Sequence, residues 1–385
     1  MLTWTVHLEG GPKRVNHAAV AIGARIFSFG GYCNGEDYET TRPIDVHMLN
    51  TVTLRWTLLP LPTEEEAQNT PYQRYGHTAV EYEDMAYLWG GRNDSVGACK
   101  ILFRFSGSTL KWDKPDVTGP IPEARDGHSA CIISGRMYIF AGYEEFTDRF
   151  SNDVNYLDLK TFAWVPVRIC GKPARWRDFH TSTAIGTTMY VFGGRCDVGG
   201  DQFTNHEIYC SKVMTFDTLT NSWARPPQPS PNSPVGRRSH SAFEYKGNIY
   251  IFGGYNGRME VHFNDLYCLE PSTLQWTRLK IPGNYPSPRR RQCACVVGSK
   301  VYFFGGTSPR VPKEKTETST VQSDADLIDR SDLFILDFEP SLKTLASLVI
   351  IEHNLDRECL PHDLRWELAA MSTDNTISRL HTTNG

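Results

Sequence analysis

Six short apolar segments recur along the chain, and a pair of small residues follows each of them. The segments are IFSF, AYLW, MYIF, MYVF, IYIF and VYFF. The pairs that follow are Gly30-Gly31, Gly90-Gly91, Ala141-Gly142, Gly193-Gly194, Gly253-Gly254 and Gly305-Gly306. An apolar run of this length predicts a β-strand buried on both faces, and glycine allows the chain to turn with positive φ. The pattern therefore predicts one β unit used six times.

The spacing of these pairs indicates the type of repeat. Successive pairs are 60, 51, 52, 60 and 52 residues apart. A period near ~50 residues, with a double glycine after an apolar strand, is typical of kelch repeats, each of which forms a four-stranded propeller blade. We therefore predict an all-β fold, a six-bladed kelch β-propeller, over residues 1–338. Because six blades share one ring, the 385-residue length does not by itself predict several domains.

The sixth repeat lacks a feature that the other five share. Each of those five contains a tryptophan near its end, at Trp56, Trp112, Trp164, Trp223 and Trp276. The matching position of the sixth repeat is Lys343, whereas Trp4 precedes the first repeat and has no blade of its own. We therefore predict that residues 2–8 supply the outer strand of the sixth blade and close the ring. The large rings are expected to pack between blades.

Beyond Phe338 the hydrophobic period changes to that of a helix. Apolar side chains follow the stripe of an amphipathic helix at Leu342, Leu345, Ala346, Val349 and Ile350. A second such segment opens on a proline, which suits a first helical turn. We predict a helical segment over 339–371 and a flexible polar tail over 372–385. A loop at about 308–325 has no apolar period and is predicted to be disordered.

Composition and charge restrict the class of function. The formal net charge is −4 and the isoelectric point is near 6.3, which argues against a general nucleic-acid binder. We expect neither a signal peptide nor a membrane span, which would need ~18 consecutive apolar residues. The ten cysteines lie in strand patterns without a paired CxxC motif. We interpret them as reduced thiols of a cytoplasmic, or also nuclear, protein.

Residues that occur in every repeat are interpreted as structural. An arginine stands three residues before a histidine in five repeats, and three residues before Cys293 in the sixth. These arginines are Arg14, Arg74, Arg125, Arg177, Arg237 and Arg290. We expect them to pair with the neighbouring blade and the histidines to form hydrogen bonds between blades. No nucleophile motif, phosphate-binding glycine loop or metal-spaced histidine set occurs, so we expect no enzymatic activity, cofactor or metal.

Residues that differ between repeats are better candidates for recognition. Two positions vary, the second residue before the histidine and the residue directly after the double glycine. We predict that they lie on one face, around the central channel, which then carries Arg92, Arg195, Arg238, Arg291, Tyr143, Trp176 and Ser239. Arginine forks bind a carboxylate or phosphate bidentately, and aromatic walls desolvate the pair. In the alternative, these arginines are solvated and paired with Asp126, Asp178 or Asp197, and the residues alone favour neither.

With these features the chain resembles the kelch-repeat substrate receptors of cullin-2 ubiquitin ligases. The resemblance includes NHAAVAIG, WGGRND, ARDGHSA, PARWRDFH, GRRSHSAF, PRRRQC and PHDLRWEL. The family's elongin-binding box is matched by Ser341, Leu342 and Ile350, with Ala346 where cysteine is usual. Its cullin-2 box is matched by Leu360, Pro361, Leu364 and Leu368. The resemblance implies elongin B, elongin C and cullin-2 with its RING subunit as partners; the alternative for both helices is packing against the propeller.

The resemblance also implies a substrate class, C-terminal degrons that end in glycine and resemble Arg-x-x-Gly. It assigns the substrate carboxylate first to Arg195, Arg238 and Ser239, and then to a wider pocket with Arg291, Arg92, Trp176 and Tyr143. Asp126 or Asp178 would bind a basic residue upstream of that glycine. The chain itself ends in Gly385, which suggests self-association through this residue. The alternative function is a kelch scaffold, outside any ligase, for an acidic or phosphorylated chromatin or cytoskeletal partner.

Overall fold

The computed structural model describes residues 2–36, 40–224, 232–310 and 327–380, and its framework is six antiparallel sheets that follow one another along the chain. We number the sheets one to six along the chain. Sheet one contains Ala18–Ile22, Arg25–Phe29, Val46–Asn50 and Arg55–Leu58. Sheet two contains Tyr75–Tyr82, Met85–Asn93, Phe103–Ser106 and Trp112–Asp113, with the short strand Gly97–Ala98 beside the second of these. Every apolar segment found in the sequence is the second strand of its sheet.

The next three sheets repeat the same order of strands. Sheet three contains Ser129–Ile133, Arg136–Phe140, Val154–Asp158 and Ala163–Pro166. Sheet four contains Thr181–Ile185, Thr188–Phe192, Met214–Asp217 and Ser222–Ala224. Sheet five contains Ser241–Tyr245, Asn248–Phe252, Leu266–Glu270 and Gln275–Leu279. Sequence neighbours pair in each case, so the strands form simple meanders.

Sheet six takes strands from both ends of the chain. It contains Cys293–Val297, Lys300–Phe304, Leu333–Asp337 and Thr3–Leu8. The N-terminal strand is antiparallel to Leu333–Asp337, with Trp4 opposite Leu336. Trp4 therefore stands in the outer strand of this sheet, where the tryptophan missing from the sixth repeat would be.

A ring of backbone hydrogen bonds connects the first strands of the six sheets. At the start of each first strand, one residue donates its N–H to the carbonyl oxygen of its equivalent in the preceding sheet, over 2.7–3.1 Å. We call these residues the inner ring: Asn16, Gly76, Gly127, Phe179, Ser239 and Arg291. Asn16 donates to Arg291, so sheets one and six are joined like any other neighbours. All six have φ between +48° and +69°, which only glycine adopts without strain.

Large aromatic side chains fill the spaces between the sheets. The tryptophan of each outer strand packs on an aromatic ring of the preceding sheet, with centroids 4.8–6.4 Å apart. The pairs are Trp4 with Phe252, Trp56 with Phe304, Trp112 with Phe29, Trp164 with Trp89, Trp223 with Phe140 and Trp276 with Phe192. Six clusters of buried apolar residues occupy the same interfaces. The prediction that these rings pack between the units is confirmed.

The repeated arginines are buried, and their guanidinium groups bond within their own sheet. Arg177 Nη1, for example, donates to the carbonyl oxygen of Gly193 over 2.9 Å. The contact of these arginines with the preceding sheet comes from the backbone, as where the Gly142 N–H donates to the Arg177 carbonyl over 2.9 Å. In sheet six the buried arginine of the repeat is Arg289, whose Nη1 donates to the Gly305 carbonyl. The assignment of Arg290 to this position is therefore wrong. Gln292 correspondingly takes the histidine position and donates to Phe252. Because Arg289, Arg290 and Arg291 are adjacent, the sequence alone does not reveal this shift of one residue.

The repeated histidines are spacers between sheets, as expected. Burial lowers the pKa of His17, His128 and His240 to about 3, so these rings are neutral. His128 Nε2 lies 2.8 Å from Thr78 Oγ1 in the preceding sheet. His128, His180 and His240 thus join the first strands of adjacent sheets through hydrogen bonds of this kind.

Short hairpins follow the double glycines of sheets three to six. They are Tyr143–Glu144 with Arg149–Phe150 (and Arg125–Asp126 beside them), Arg195–Asp197 with Glu207–Tyr209, Tyr255–Asn256 with Val261–His262, and Thr307–Pro309 with Leu327–Asp329. The last hairpin corrects the disorder predicted at 308–325. Ser308 and Pro309 pair with Ile328 and Leu327, because the polar loop is anchored by strand hydrogen bonds at its base. Residues 311–325 lie outside the described part of the chain.

The three described helices are α1, Glu64–Ala67, α2, Leu342–Glu352, and α3, His362–Ser372. Helix α2 lies within the helical segment predicted over 339–371, and α3 extends one residue beyond it. None of the three has the length and apolar character that crossing a bilayer requires.

The flexible tail predicted over 372–385 is wrong for residues 372–380. Ser372 ends α3, and the strand Ser378–Arg379 pairs in parallel with Arg55–Leu58. Asn375 is buried; its N–H donates to the Glu9 carbonyl over 2.8 Å, and its Oδ1 accepts from the Trp56 N–H over 3.2 Å. Polar composition misled the prediction, because the tail is held by backbone partners. Residues 381–385 lie outside the described residues.

Candidate functional site

The two positions that vary between repeats are cross-strand partners in every sheet. The pairs are Val15 with Tyr32, Tyr75 with Arg92, Asp126 with Tyr143, Asp178 with Arg195, Arg238 with Tyr255, and Arg290 with Thr307. Each pair flanks the inner ring, so the twelve residues surround one mouth of the channel. We call them the variable ring. It carries Arg92, Arg195, Arg238 and Arg290 on one face, as the sequence predicted for the first three.

Arg291 was assigned to the variable ring, but the structure places it in the inner ring. The one-residue shift of sheet six gives the expected position to Arg290. Arg291 Nη1 donates to the hydroxyl of Tyr32, and its guanidinium lies 5.7 Å from the centre of that ring. Its buried Nε has no hydrogen-bond partner among the described residues. Arg291 therefore borders the channel with one donor unused.

Arg195 forms a bidentate ion pair with Asp178. Its Nε lies 3.1 Å from one carboxylate oxygen and its Nη2 lies 2.5 Å from the other. The rings of Phe150 and Phe203 lie 5.3 and 5.2 Å from the guanidinium and shield the pair from water. This is the geometry of the alternative interpretation. Arg195 has only its Nη1 side left for a ligand.

Arg238 has more unused donors than Arg195. Its Nε is buried without a hydrogen-bond partner, and its nearest carboxylate, Glu207, lies 3.9 Å from Nη2. Tyr255 lies beneath, 5.7 Å from the guanidinium. Ser239 follows in the inner ring with φ of +55° and donates its N–H to Phe179. Arg238 is therefore better able than Arg195 to accept a carboxylate.

Glu207 is a site residue that the sequence reasoning missed. One of its carboxylate oxygens lies 3.5 Å from Arg195 Nη1 and 3.9 Å from Arg238 Nη2. The hydroxyl of Tyr209 donates to the same side chain. Glu207 begins the second strand of the hairpin that Arg195–Asp197 opens, and this strand pairing brings it back beside Arg195. No motif in the sequence indicated this residue.

Asp126 and Asp178 are buried. Neither carboxylate is therefore exposed to a ligand in the way that the sequence analysis predicted. Burial, and then the Asp178 charge, raise the pKa of Asp126 to about 7, against the opposing effect of Arg92 and Arg195. Burial likewise raises the pKa of Asp178, although Arg195 opposes the shift. Two acids beneath a ring of arginines therefore adjust the charge of the face. They do not form its contact surface.

We expect Asp126→Asn to stabilise the protein relative to wild type as the pH rises. The folded-state pKa of Asp126 is raised from 3.8 to about 7. The neutral carboxyl group therefore contributes its full stabilisation below pH 3.8, and wild type loses this stabilisation as the pH rises through about 7. The asparagine variant does not titrate. Its melting temperature minus that of wild type should therefore increase between pH 5 and pH 8.

The control for this prediction is Asp116→Asn, which alters an exposed aspartate. Its difference from wild type should stay constant over the same pH range. A pH-independent difference for Asp126→Asn would show that the carboxylate ionises normally in the folded protein.

The remaining predicted residues divide between two places. Arg92 Nη2 lies 3.1 Å from Glu145, and Tyr143 donates its hydroxyl to Asp148, both at the variable ring. Trp176 lies elsewhere, in a groove with Arg175, Arg177 and Lys212. The structure thus places Trp176 in this groove and not among the variable-ring residues with which the sequence analysis grouped it.

Helix α2 presents an apolar stripe to solvent. Ser341 caps the helix, since its Oγ accepts the Thr344 N–H over 3.0 Å. Exposed side chains on the first two turns include Leu342, which is 86% exposed, Leu345, Ala346 and Val349. Ile350 is partly buried. The stripe has the i, i+3, i+4, i+7 spacing that binds in a partner's groove.

Helix α3 differs, because part of its predicted partner surface is used inside the molecule. Leu368 is only 1% exposed, and the helix contacts the N-terminal strand Thr3–Leu8. Leu360 and Leu364 are partly buried, and Pro361 is exposed. For Leu368, the prediction of a partner contact is therefore wrong, and packing against the sheets explains it. Trp366, on another side of α3, is exposed.

Comparison with known proteins gives one family. The family model described as the KLHDC2/KLHL20/DRC7 Kelch-repeats domain matches residues 76–306. Kelch domain-containing protein 3 of Bos taurus is 56% identical over 383 residues, covering 98% of this chain and 98% of that protein. The protein of the same name from Homo sapiens has the same identity and coverage. Kelch domain-containing protein 10 of Xenopus laevis is 26% identical, covering 91% of this chain and 85% of that protein.

Proposed function

Because this chain belongs to the family of Kelch domain-containing protein 3, we propose that it is the substrate-recognition subunit of a cullin-2 RING ubiquitin ligase. It binds C-terminal degrons that end in glycine, of the Arg-x-x-Gly kind, and directs them to ubiquitination and proteasomal degradation. The chain holds the substrate and performs no chemistry. As a kelch-repeat protein with a face of partly unpartnered arginines, it has the general character of a protein-binding module.

The proposal includes a closed propeller of six blades, one for each sheet. Three observations support it. The inner ring joins each sheet to the next and the sixth to the first. The six apolar clusters lie at six equivalent interfaces. The strand Thr3–Leu8 pairs with Leu333–Asp337, the third strand of sheet six, so strands from the first and last repeats share one sheet.

The observation that carries the function is the state of Arg238. In a guanidinium that is largely removed from water, each N–H normally has a hydrogen-bond acceptor. The Nε of Arg238 has none among the described residues. Glu207 stands between Arg238 and Arg195, and a ligand carboxylate would displace it from this position. A terminal carboxylate bound there would gain charge-assisted hydrogen bonds from two arginines. Asp178 holds Arg195 in position for this contact.

The test of this proposal is calorimetric titration with a peptide ending in Arg-Ala-Ser-Gly, as the free acid and as the C-terminal amide. We expect binding of the acid and at least tenfold weaker binding of the amide. A variant lacking Gly385 should be titrated in parallel, because the chain's own glycine could occupy the site. Equal binding of acid and amide, or no binding, would favour a kelch scaffold for a different partner.

The partners that we propose, elongin B, elongin C and cullin-2 with its RING subunit, would bind the C-terminal helices. The support is the exposed apolar stripe of α2, because soluble proteins rarely expose such a surface without a partner. Ala346 stands within that stripe and is small enough to let a groove approach the helix closely. Leu360 and Leu364 would extend the contact on to α3, while Leu368 holds α3 against the N-terminal strand.

Replacing Leu342 by aspartate should abolish copurification with elongin B and C. Leu342 is the most exposed apolar residue of α2, and a carboxylate in an apolar groove would remain unpaired. The measurement is affinity purification of the full chain followed by immunoblotting. The melting temperature should not change, because the Leu342 side chain is not part of the core.

Leu219→Asp is the matched control, since Leu219 is similarly exposed at a turn of sheet four. It should copurify with elongins as wild type does. If Leu342→Asp also copurifies normally, α2 is not the elongin-binding element, and the ligase part of the proposal fails while degron binding stays open.

A further inference from the structure

A second anion site is indicated by the buried arginines of the repeats. Four of them pair with an aspartate at the start of the third strand of their own sheet. The pairs are Arg14 with Asp45, Arg125 with Asp153, Arg237 with Asp265 and Arg289 with Asp332. In sheet six, for example, Nη2 of Arg289 lies 2.7 Å from an Asp332 oxygen. The fold thus has a recurrent socket for one carboxylate.

Sheet four contains the socket without its carboxylate. Arg177 is 1% exposed, and Lys212 stands at the aspartate position, eleven residues before Trp223. Arg177 donates Nε to the Arg175 carbonyl over 3.1 Å and Nη1 to the Gly193 carbonyl over 2.9 Å. Neither bond uses Nη2, the atom that binds the aspartate in the other four sheets. In the described part of the chain, no carboxylate pairs with Arg177.

A groove of about 730 Å³ opens at this position. Four cationic side chains line it, and no aspartate or glutamate is among the described lining residues. The cations are Lys172, Arg175, Arg177 and Lys212. This local charge is opposite to the formal net charge of −4 for the whole chain. Trp176, which is 37% exposed, and Pro173 supply an apolar wall beside the charges.

Sheet two shows that a missing aspartate does not by itself create such a groove. Arg74 also has no carboxylate partner among the described residues, and its Nη2 is buried without a hydrogen bond. The ring of Tyr72 lies 3.9 Å from its guanidinium, and the ring of Phe103 lies 5.3 Å away. These aromatic faces cover Arg74 and satisfy its charge in part. At the position of Tyr72, sheet four has Arg175, which adds charge and leaves the socket open.

We propose that the sheet-four groove binds an acidic segment of a partner protein, with one Asp or Glu carboxylate taking the aspartate position beside Arg177. Lys212, Lys172 and Arg175 bind neighbouring acidic side chains, and Trp176 packs against an apolar residue between them. Internal acidic side chains suffice for this site, so it does not require a free chain terminus. It is separate from the arginine face and would accept a different part of a substrate or a different protein.

The partner is identified as a carboxylate carrier by the geometry that the other sheets repeat. An arginine with Nη1 on the Gly193 carbonyl and Nη2 without a carboxylate matches the planar, two-oxygen acceptor that Asp153, Asp265 and Asp332 supply elsewhere. A buried, unpaired arginine is costly, and binding of a carboxylate would remove that cost. The groove volume of about 730 Å³ gives room for more than one side chain.

The probe is the peptide Ser-Glu-Glu-Phe-Glu-Glu-Ser, which carries fluorescein at its N-terminus and an amide at its C-terminus. Amidation removes the terminal carboxylate, so this assay is independent of the glycine-degron site. With the full chain we expect saturable binding by fluorescence anisotropy. The peptide with all four glutamates replaced by glutamine should bind at least tenfold more weakly. Equal binding of both peptides, or no binding of either, would overturn the proposal.

Lys212→Asp is the decisive variant. It recreates the pair seen in four other sheets, so it should occupy Arg177 internally, raise the melting temperature and weaken peptide binding at least tenfold. Lys212→Gln removes one charge but leaves Arg177 open, and should retain most of the affinity. Lys160→Asp repeats the charge change at an exposed turn of sheet three and should bind as wild type.

Two results would contradict the assignment. If Lys212→Asp and Lys212→Gln weaken binding equally, Arg177 does not hold the ligand, and the lysine charge alone attracts it. If only a peptide with phosphoserine in place of glutamate binds, the socket takes phosphate and the carboxylate assignment fails. Calorimetric binding of the glycine-ended peptide should be unchanged in all three variants, which separates this site from the degron site.

Discussion

Replacing Arg238 by alanine should weaken binding of the glycine-ended peptide by at least ~30-fold. Truncating one partner of a desolvated charge pair costs about 2–5 kcal/mol, and 1.4 kcal/mol corresponds to a factor of ten. Arg238 has its Nε unpartnered in a buried position, so the ligand carboxylate is the partner that the variant would lose. The measurement is the calorimetric Kd for the free-acid peptide.

Two further variants make this prediction specific. Arg278→Ala removes an exposed arginine from the outer strand of the same sheet and should leave the Kd unchanged. Arg238→Lys keeps the charge but loses the planar fork, so it should restore only part of the affinity. Unchanged binding by Arg238→Ala would move the carboxylate to another arginine of the variable ring.

Deleting residues 1–9 should destabilise the protein severely. The deletion removes the outer strand of sheet six, with Trp4, Val6 and Leu8 all buried. Truncating a single buried Trp to alanine typically costs 3–5 kcal/mol, so the loss of the strand should exceed ~5 kcal/mol. It also exposes the edge of Leu333–Asp337 and removes the Glu9 carbonyl that holds Asn375. We expect a lower melting temperature by calorimetry and a tendency to aggregate.

The point variant Trp4→Ala provides an intermediate case, since it keeps the strand but empties the contacts with Phe252, Phe303 and Phe334. Its melting temperature should lie between those of wild type and the deletion. An unchanged melting temperature after deletion of residues 1–9 would mean that the sheets are stable without this strand. Closure by the N-terminal strand would then be dispensable.

Much of the fold could be predicted from the sequence, because the same pattern of an apolar strand followed by two small residues occurs six times. The unpaired Trp4 indicated where the N-terminal strand would lie, and the strand is there. Sheet six was placed one residue out of register, since Gln292 replaces the histidine and three adjacent arginines fit either alignment. Position 308 was assigned to a disordered loop because two short strands with few apolar residues carry almost no periodic signal.

The candidate site was less predictable than the fold, for a physical reason. The repeats indicate which positions vary. The side chains that contact these positions come from hairpins that have no repeating hydrophobic pattern, so the sequence did not predict them. Glu207 reaches Arg195 and Arg238 only because its hairpin folds back. The burial of Asp126 and Asp178 was also hidden, because a polar residue near a loop is usually exposed. The C-terminal helices were predicted from their period, but which side of α3 faces the protein was not.

The pairing of the two chain ends has a consequence for the timing of synthesis. Thr5 hydrogen-bonds to Ile335, 330 residues later in the chain. At about 5–20 residues per second, a ribosome needs roughly 15–65 s to translate that interval. Throughout this time the first strand has no partner, and Trp4, Val6 and Leu8 are available to chaperones. The sixth sheet therefore forms only after nearly the whole protein has been made, and helices α2 and α3 are synthesised after its last strand.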